Sequence, residues 1–279
     1  ASHDGKQVAV VIANSHGTYE IWIAAVDRAG LRRAVSFQDS DAANPAWSPD
    51  DKWLAFERNA RGKGDGIYVQ KADESGNPRL IWRPASSEES FWVQDWTHDG
   101  SGVIAAIGHG SSQKLVAVPV GAAADGQLGT PTVLIAKQPP NAAGKLSPDG
   151  HYLLFQSDES GSLELHLAEV ANGAMVGRPV VITSGGGEEP RWSADSKRVY
   201  YRKDPGRLMS VTIERTPALR ASAPVFVQDM VALRLDTGNW DILPDNRLIG
   251  IERGAGEDPT TAFSVVLNWL DLVRGKLPK

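Results

Sequence analysis

Six aspartates recur at near-constant spacing along the chain: Asp4, Asp50, Asp99, Asp149, Asp195 and Asp245, at intervals of 46, 49, 50, 46 and 50 residues. A carboxylate array of this kind could serve acid–base chemistry or hold calcium, a cation that selects oxygen ligands. Their neighbours argue for turns instead. The clearest copies read Trp47-Ser48-Pro49-Asp50-Asp51 and Leu146-Ser147-Pro148-Asp149-Gly150. Pro presets φ at the first turn position, the Asp carboxylate accepts backbone N–H groups, and Gly or Asn tolerates positive φ. Glycine follows at Gly5, Gly100 and Gly150 and asparagine at Asn246, with Asp51 and Ser196 as exceptions. Turn chemistry accounts for all six aspartates.

Other reactive side chains form no recognisable catalytic motif. The chain has no cysteine, which removes disulfides, thiol nucleophiles and thiolate metal sites. It has no Gly-x-Ser-x-Gly pentapeptide, and Gly108-His109-Gly110-Ser111-Ser112 reads as a loop. The histidines His3, His16, His98, His109, His151 and His166 include no pair at the i, i+4 spacing of a helical zinc site. Gly185-Gly186-Gly187 is followed by Glu188-Glu189-Pro190 rather than the lysine and helix of a phosphate-binding loop, and two carboxylates would repel phosphate. No cofactor or metal is expected from these residues, although a metal site assembled from separate repeats stays open.

The elements that carry these residues are strands. Between successive Asp turns lie short β-branched and aromatic runs such as Trp53–Phe56, Val103–Ala106, Tyr152–Phe155 and Leu208–Ile213, bounded by Gly, Pro, Asp or Asn. A period of about 50 residues filled with such strands is the mark of a β-propeller, whose blades must pack on one another to bury their faces. The expectation is an all-β, six-bladed propeller with four-stranded antiparallel blades. It would span 1–279 as one domain, with blades near 1–40, 41–84, 85–136, 137–184, 185–228 and 229–279. Each blade runs from an inner strand A, ending at the Asp turn, to an outer strand D. The first repeat opens at its Asp turn, so its strand A is missing, and the last has no clear strand D. The chain falls roughly 15 residues short of six full repeats. Sequence upstream of Ala1 is therefore expected to supply both strands. A short helix is expected at Asn268–Arg274, with Gly275 as its stop.

Composition bounds the partners. The 279 residues are 41% hydrophobic with nine Trp, enough for a large core, and the net charge of −5 comes without a Lys/Arg tract. Nucleic acid and anionic membrane surfaces are thus not expected as partners, and no apolar run reaches the ~18 residues of a membrane span.

Asp149–Gly161 and Thr183–Trp192 resemble the TolB-type propeller repeat. The ending Val265-Val266-Leu267-Asn268-Trp269-Leu270 is similar to the C-terminus of propellers appended to bacterial membrane serine/threonine kinases and winged-helix regulators. The resemblance implies a non-catalytic, extracytoplasmic sensor or docking domain of a larger signalling protein, taking a protein partner or small polar ligand. The alternative is an enzyme propeller, either a metal-dependent polysaccharide lyase or the propeller of a hydrolase.

Two groups of residues are candidates for binding. One position before each strand-A aromatic or aliphatic stand Ala46, Asp95, Lys145, Arg191 and Asp241. Alternation along a strand puts this series opposite the Trp47, Trp96, Leu146, Trp192 and Ile242 series, facing the channel. It reads either as inter-blade ion pairs, Asp95 with Lys145 and Arg191 with Asp241, or as a charged lumen for a small polar ligand. The second group lies on the long-loop face. There Glu88, Glu89, Glu188 and Glu189 form an acidic rim, and Phe91 and Trp92 are either core residues or an aromatic anchor for a basic or polar peptide.

Overall fold

The computed structural model describes residues 1–60, 64–109, 112–121, 128–138, 143–159, 161–171, 173–216 and 218–252. The Asp turns set its frame. The Ser48 hydroxyl donates to Asp50 at 2.7 Å and accepts the Trp53 N–H at 2.9 Å, which folds the chain back on itself. The same hydroxyl–carboxylate bond recurs in Ser2–Asp4, Thr97–Asp99, Ser147–Asp149 and Ser193–Asp195. In the sixth copy Leu243 replaces the hydroxyl, and the turn closes through Asn246 N to Leu243 O and Arg247 N to Asp245 Oδ1.

The residue after each Asp lies in the left-handed region, from Asp51 and Ser196 at φ 57° to Gly150 at 74°. Non-glycine residues are strained there by roughly 1–2 kcal/mol. The two exceptions to Gly or Asn each gain a bond to the preceding blade in return. Asp51 accepts the backbone N–H groups of His3 and Asp4 at 2.7 and 2.8 Å, and the Ser196 hydroxyl accepts Asp149 N–H at 3.0 Å. At Gly150 no side chain fits, since a Cβ would meet His98 at 2.8 Å.

Each turn launches a sheet of antiparallel neighbours. The first holds three strands, β1 (Gln7–Ala13), β2 (Tyr19–Ala25) and β3 (Leu31–Val35). The second holds β4 (Asp41–Trp47), β5 (Trp53–Asn59), β6 (Gly66–Lys71) and β7 (Arg79–Trp82). The third holds β8 (Ser90–Trp96), β9 (Gly102–His109), β10 (Ser112–Pro119) and β11 (Thr132–Gln138). The fourth holds β12 (Gly144–Leu146), β13 (Tyr152–Ser157), β14 (Glu164–Ala171) and β15 (Ala174–Val181). The fifth has β16 (Glu188–Trp192), β17 (Arg198–Lys203) and β18 (Arg207–Glu214), with β19 (Arg220–Ala221) and β20 (Val225–Asp229) both pairing with β18. Last come β21 (Leu235–Ile242) and β22 (Leu248–Glu252), a two-stranded ribbon.

The protein is an all-β propeller, and no α-helix occurs among the described residues. The expected count of six blades is corrected. Five sheets of three or more strands form blades, and the sixth copy of the turn carries only the ribbon. The reason is that only its A–B hairpin pairs among the described residues. The expected helix at Asn268–Arg274 lies outside them.

Hydrophobic clusters sit at the junctions between sheets. Trp47 packs between the first two blades and Trp96 between the second and third. Trp192 packs between the fourth and fifth, and Trp240 between the fifth and the ribbon. The junction that closes the ring is the smallest, with Val26, Leu243 and Ile249 as its buried members. Between blades two and three lies a buried acid. Glu57 on β5 accepts Asn44 Nδ2 at 2.8 Å and Val93 N–H at 2.7 Å, and burial pushes its carboxyl up to about 7 against these bonds.

Candidate functional site

Alternation along the inner strands delivers the charged series to one place. Asp95 on β8, Lys145 on β12, Arg191 on β16 and Asp241 on β21 all line a central cavity of about 530 Å³, with Asn44 and Pro45 of β4 beside them. Ala46, the uncharged member, packs against the core between blades two and three.

The two aspartates act as stitches between blades. Asp95 accepts its neighbour's Trp96 N–H at 2.9 Å and reaches the next blade through Leu146 N–H at 3.3 Å. Asp241 repeats the arrangement, accepting Ile242 N–H at 2.9 Å and the Ala1 nitrogen at 2.5 Å. Burial opposes the charge of Asp241, but the Ala1 amino group and Arg191 outweigh it and hold the carboxyl at about 2.

The two cations are held differently. Lys145 donates its ammonium to the Gln94 carbonyl, and burial pulls its pKa down; Asp95 opposes the shift and Arg191 adds to it. Arg191 lies 3.5 Å from Asp241, donates to Pro190 O at 3.0 Å and stands over the Trp240 ring at 5.1 Å. The expected pairing of Arg191 with Asp241 is therefore formed. Lys145 and Asp95 share the lumen, with the lysine bonded to backbone instead.

On the long-loop face, Glu188 and Glu189 do not form a free acidic rim. Both engage Arg202, and Glu189 also accepts the Trp240 indole N–H at 3.1 Å. Burial raises the Glu189 pKa against the pull of Arg191 and Arg202. This arrangement joins the rim to the lumen through Trp240, a residue the sequence reading did not single out. Glu89 caps its own loop by accepting Ala85 N–H at 2.7 Å, while Glu88 is exposed. Phe91 is 8% exposed and packs edge-on against Trp82 at 5.4 Å, so it belongs to the core; Trp92 is half-buried.

Among the described residues no cluster of three or more His, Asp or Glu side chains could hold a metal ion. His166 is buried, with its ring centroid 5.5 Å from that of Phe155, away from the lumen-lining residues. No helix of the described residues is long and apolar enough to cross a membrane.

No family model matches the chain, and no curated protein matches it in sequence. Solved structures do match its fold. TolB from Acinetobacter baumannii superposes with a TM-score of 0.66 at 17% identity, over 91% of this chain and 60% of that one. A puromycin-hydrolysing peptidase of Mycobacterium tuberculosis gives 0.63 at 16%, over 95% of this chain and 43% of the peptidase. An oligogalacturonate lyase in complex with manganese gives 0.59 at 13%, over 92% and 70%. The chain thus spans 60% of that TolB and less than half of the peptidase. The expectation of a domain without catalysis is corrected by these matches, because the same architecture serves a peptidase and a lyase. Fold and function are separable on a propeller. Likeness at such identities shows the fold alone, and that fold is the TolB-like β-propeller.

Proposed function

We propose that this domain binds a small polar ligand in its lumen, through an anionic group such as a carboxylate set between Lys145 and Arg191. One observation carries the reading. Both cations open onto a cavity of about 530 Å³ that also holds Asp95 and Asp241, whose carboxylates are already engaged by backbone N–H groups. That volume falls in the range of roughly 300–1,000 Å³ typical of small-molecule sites. The two aspartates disfavour a multiply charged anion. A monocarboxylate or zwitterion, such as an amino acid, matches the balance. In line with the resemblance of its repeats and of its ending, the domain acts as the extracytoplasmic binding part of a larger bacterial signalling protein.

The test is a thermal-shift and NMR titration of monocarboxylates and amino acids against their amides at neutral pH. Hydrogen bonds to charged groups contribute about 1.5–3 kcal/mol, or roughly tenfold or more in affinity. Acids are expected to bind at least tenfold more tightly than amides, with Lys145→Met and Arg191→Gln each abolishing the difference. Equal binding of acid and amide would sink the reading.

A further inference from the structure

Lys145 has three features that simple attraction of an anion leaves unused. The first is a fixed place. The Trp192 indole N–H donates to the Lys145 carbonyl at 3.4 Å, and the next N–H, of Leu146, reaches Asp95 at 3.3 Å. The backbone around the lysine is thus tied to the blade on either side. Because Trp192 follows Arg191 in β16, the same contact sets both cations at one level of adjacent inner strands.

The second feature is the absence of a counter-ion in contact. Nζ donates to the Gln94 carbonyl, and among the described residues no carboxylate stands within 4.0 Å of it. An ion pair would hold the ammonium form, whereas a neutral amine keeps N–H groups to donate to a carbonyl. Burial and the Arg191 charge favour the amine, and they outweigh Asp95 and Asp241. A desolvated lysine beside a second cation is an arrangement that activates it as a nucleophile.

The third feature is access. The Lys145 side chain is half-buried and lines the cavity of about 530 Å³, so a small molecule can reach it. Arg191 lines the same cavity. Its Nε faces Asp241 and its Nη1 donates to Pro190 O, while Nη2 takes part in neither contact. A carboxylate on that guanidinium places the adjoining carbon towards the neighbouring inner strand. Val10 and Ile251 give the cavity apolar surface for a short carbon chain.

We propose that the lumen captures small 2-oxo acids covalently, as an imine between Lys145 Nζ and the carbonyl carbon beside a carboxylate held by Arg191. The inference rests on the anion-binding reading of the cavity and names the class of acid. The ammonium first releases a proton to water. The Nζ lone pair then forms the C–N bond as the carbonyl π pair moves to oxygen. The two remaining nitrogen protons leave with that oxygen as water, and the C=N bond forms. No oxidant or reductant takes part. Water adds back to the imine and frees the acid, so capture is reversible.

The experiment treats the protein with pyruvate and sodium cyanoborohydride at neutral pH and maps the reduced adducts by peptide mass spectrometry. Lys6 and Lys52, each 77% exposed, serve as internal comparisons. Lys145 is expected to be modified at least tenfold faster than either, since each unit by which a lysine pKa falls supplies roughly tenfold more amine. Methyl pyruvate keeps the ketone without the carboxylate and is expected to lose that preference. Pyruvate with Arg191→Gln is expected to lose it as well. Lactate, an acid without the carbonyl, is expected to bind more tightly than lactamide in an NMR titration and to slow the trapping at Lys145. Tight lactate binding with adducts spread equally over the three lysines, or with none at Lys145, overturns the covalent step and leaves the anion-binding reading standing. Equal binding of lactate and lactamide overturns both. A preference for Lys145 that persists with methyl pyruvate overturns the assignment to oxo acids.

Discussion

The turn rim and the lumen wall are built from residues a few positions apart in every repeat, yet they obey different rules. At the rim five of the six copies use one device, a hydroxyl bonded to the turn aspartate. On the wall successive blades bring Asn44 and Pro45, then Asp95, Lys145, Arg191 and Asp241, so that the charge runs from neutral to anionic to cationic and back. Repetition at the rim reflects a local requirement, the same reversal of chain direction at each blade. Variation on the wall reflects freedom from it, because a lumen-facing side chain need only avoid its neighbours. Residues free of the repeat's constraint are where function has room to act.

The rim aspartates and the buried Glu57 respond oppositely to pH. Hydroxyl bonds from Ser48, Thr97 and Ser193 hold the carboxyls of Asp50, Asp99 and Asp195 below the usual range. Groups shifted this way stabilise the fold above the unfolded pKa and lose that contribution as pH falls through the folded one. Glu57, which shares Asn44 with the wall, is shifted upward to about 7. Its contribution is full below the unfolded value near 4.5 and is lost as pH rises toward 7.

The largest expected effect is therefore at Glu57. A shift from 4.5 to about 7 corresponds to about 3 kcal/mol of instability at pH 8. The same strand position in blade four is Gln156, which accepts Ala143 N–H at 2.7 Å without a charge. Glu57→Gln is expected to stabilise the protein by about 3 kcal/mol at pH 8 and hardly at all at pH 4, measured by urea unfolding. An unchanged difference between pH 5 and 8 in the variant would remove Glu57 from the account.

The rim is tested by two glycines of similar φ, 74° at Gly150 and 70° at Gly100, and unequal space. Gly150→Ala meets His98 at 2.8 Å and is expected to cost about 2–3 kcal/mol, from left-handed strain plus the clash. Gly100→Ala, whose nearest neighbour is Pro49 at 3.9 Å, should cost only about 1 kcal/mol. Equal losses in denaturant unfolding would show that blade contact adds nothing to the turn's own preference.

The smallest stability effect belongs to the wall. Lys145→Met removes a desolvated ammonium that donates to the Gln94 carbonyl. It is expected to change unfolding free energy by less than about 1 kcal/mol, since lost bonding and relieved desolvation offset one another. A loss of several kcal/mol would make the lysine a structural post rather than a binding group.

Much of the fold was legible because its signals are local. The Asp turns were readable from Pro, Asp and Gly, and Arg79–Trp82 emerges as β7 with the boundaries its composition suggests. The hydroxyl two residues before five of the six aspartates is equally visible in the sequence. β15 (Ala174–Val181) is less legible, because exposed Gly177 and Arg178 interrupt its pattern. Of the candidate site, the lumen series followed from alternation alone. Trp240 and the burial of Phe91 did not, because each depends on a side chain from another blade.

The amino-acid order by itself determined where the chain turns and which side of each inner strand carries charge. Both follow from backbone preferences and a two-residue period that act over a few positions. Only the closed arrangement of blades decided that Asp95 and Asp241 engage the next blade's backbone and that Lys145 and Arg191 share one cavity. Those outcomes depend on groups some 50 residues apart meeting across a junction, and no local preference specifies such a meeting.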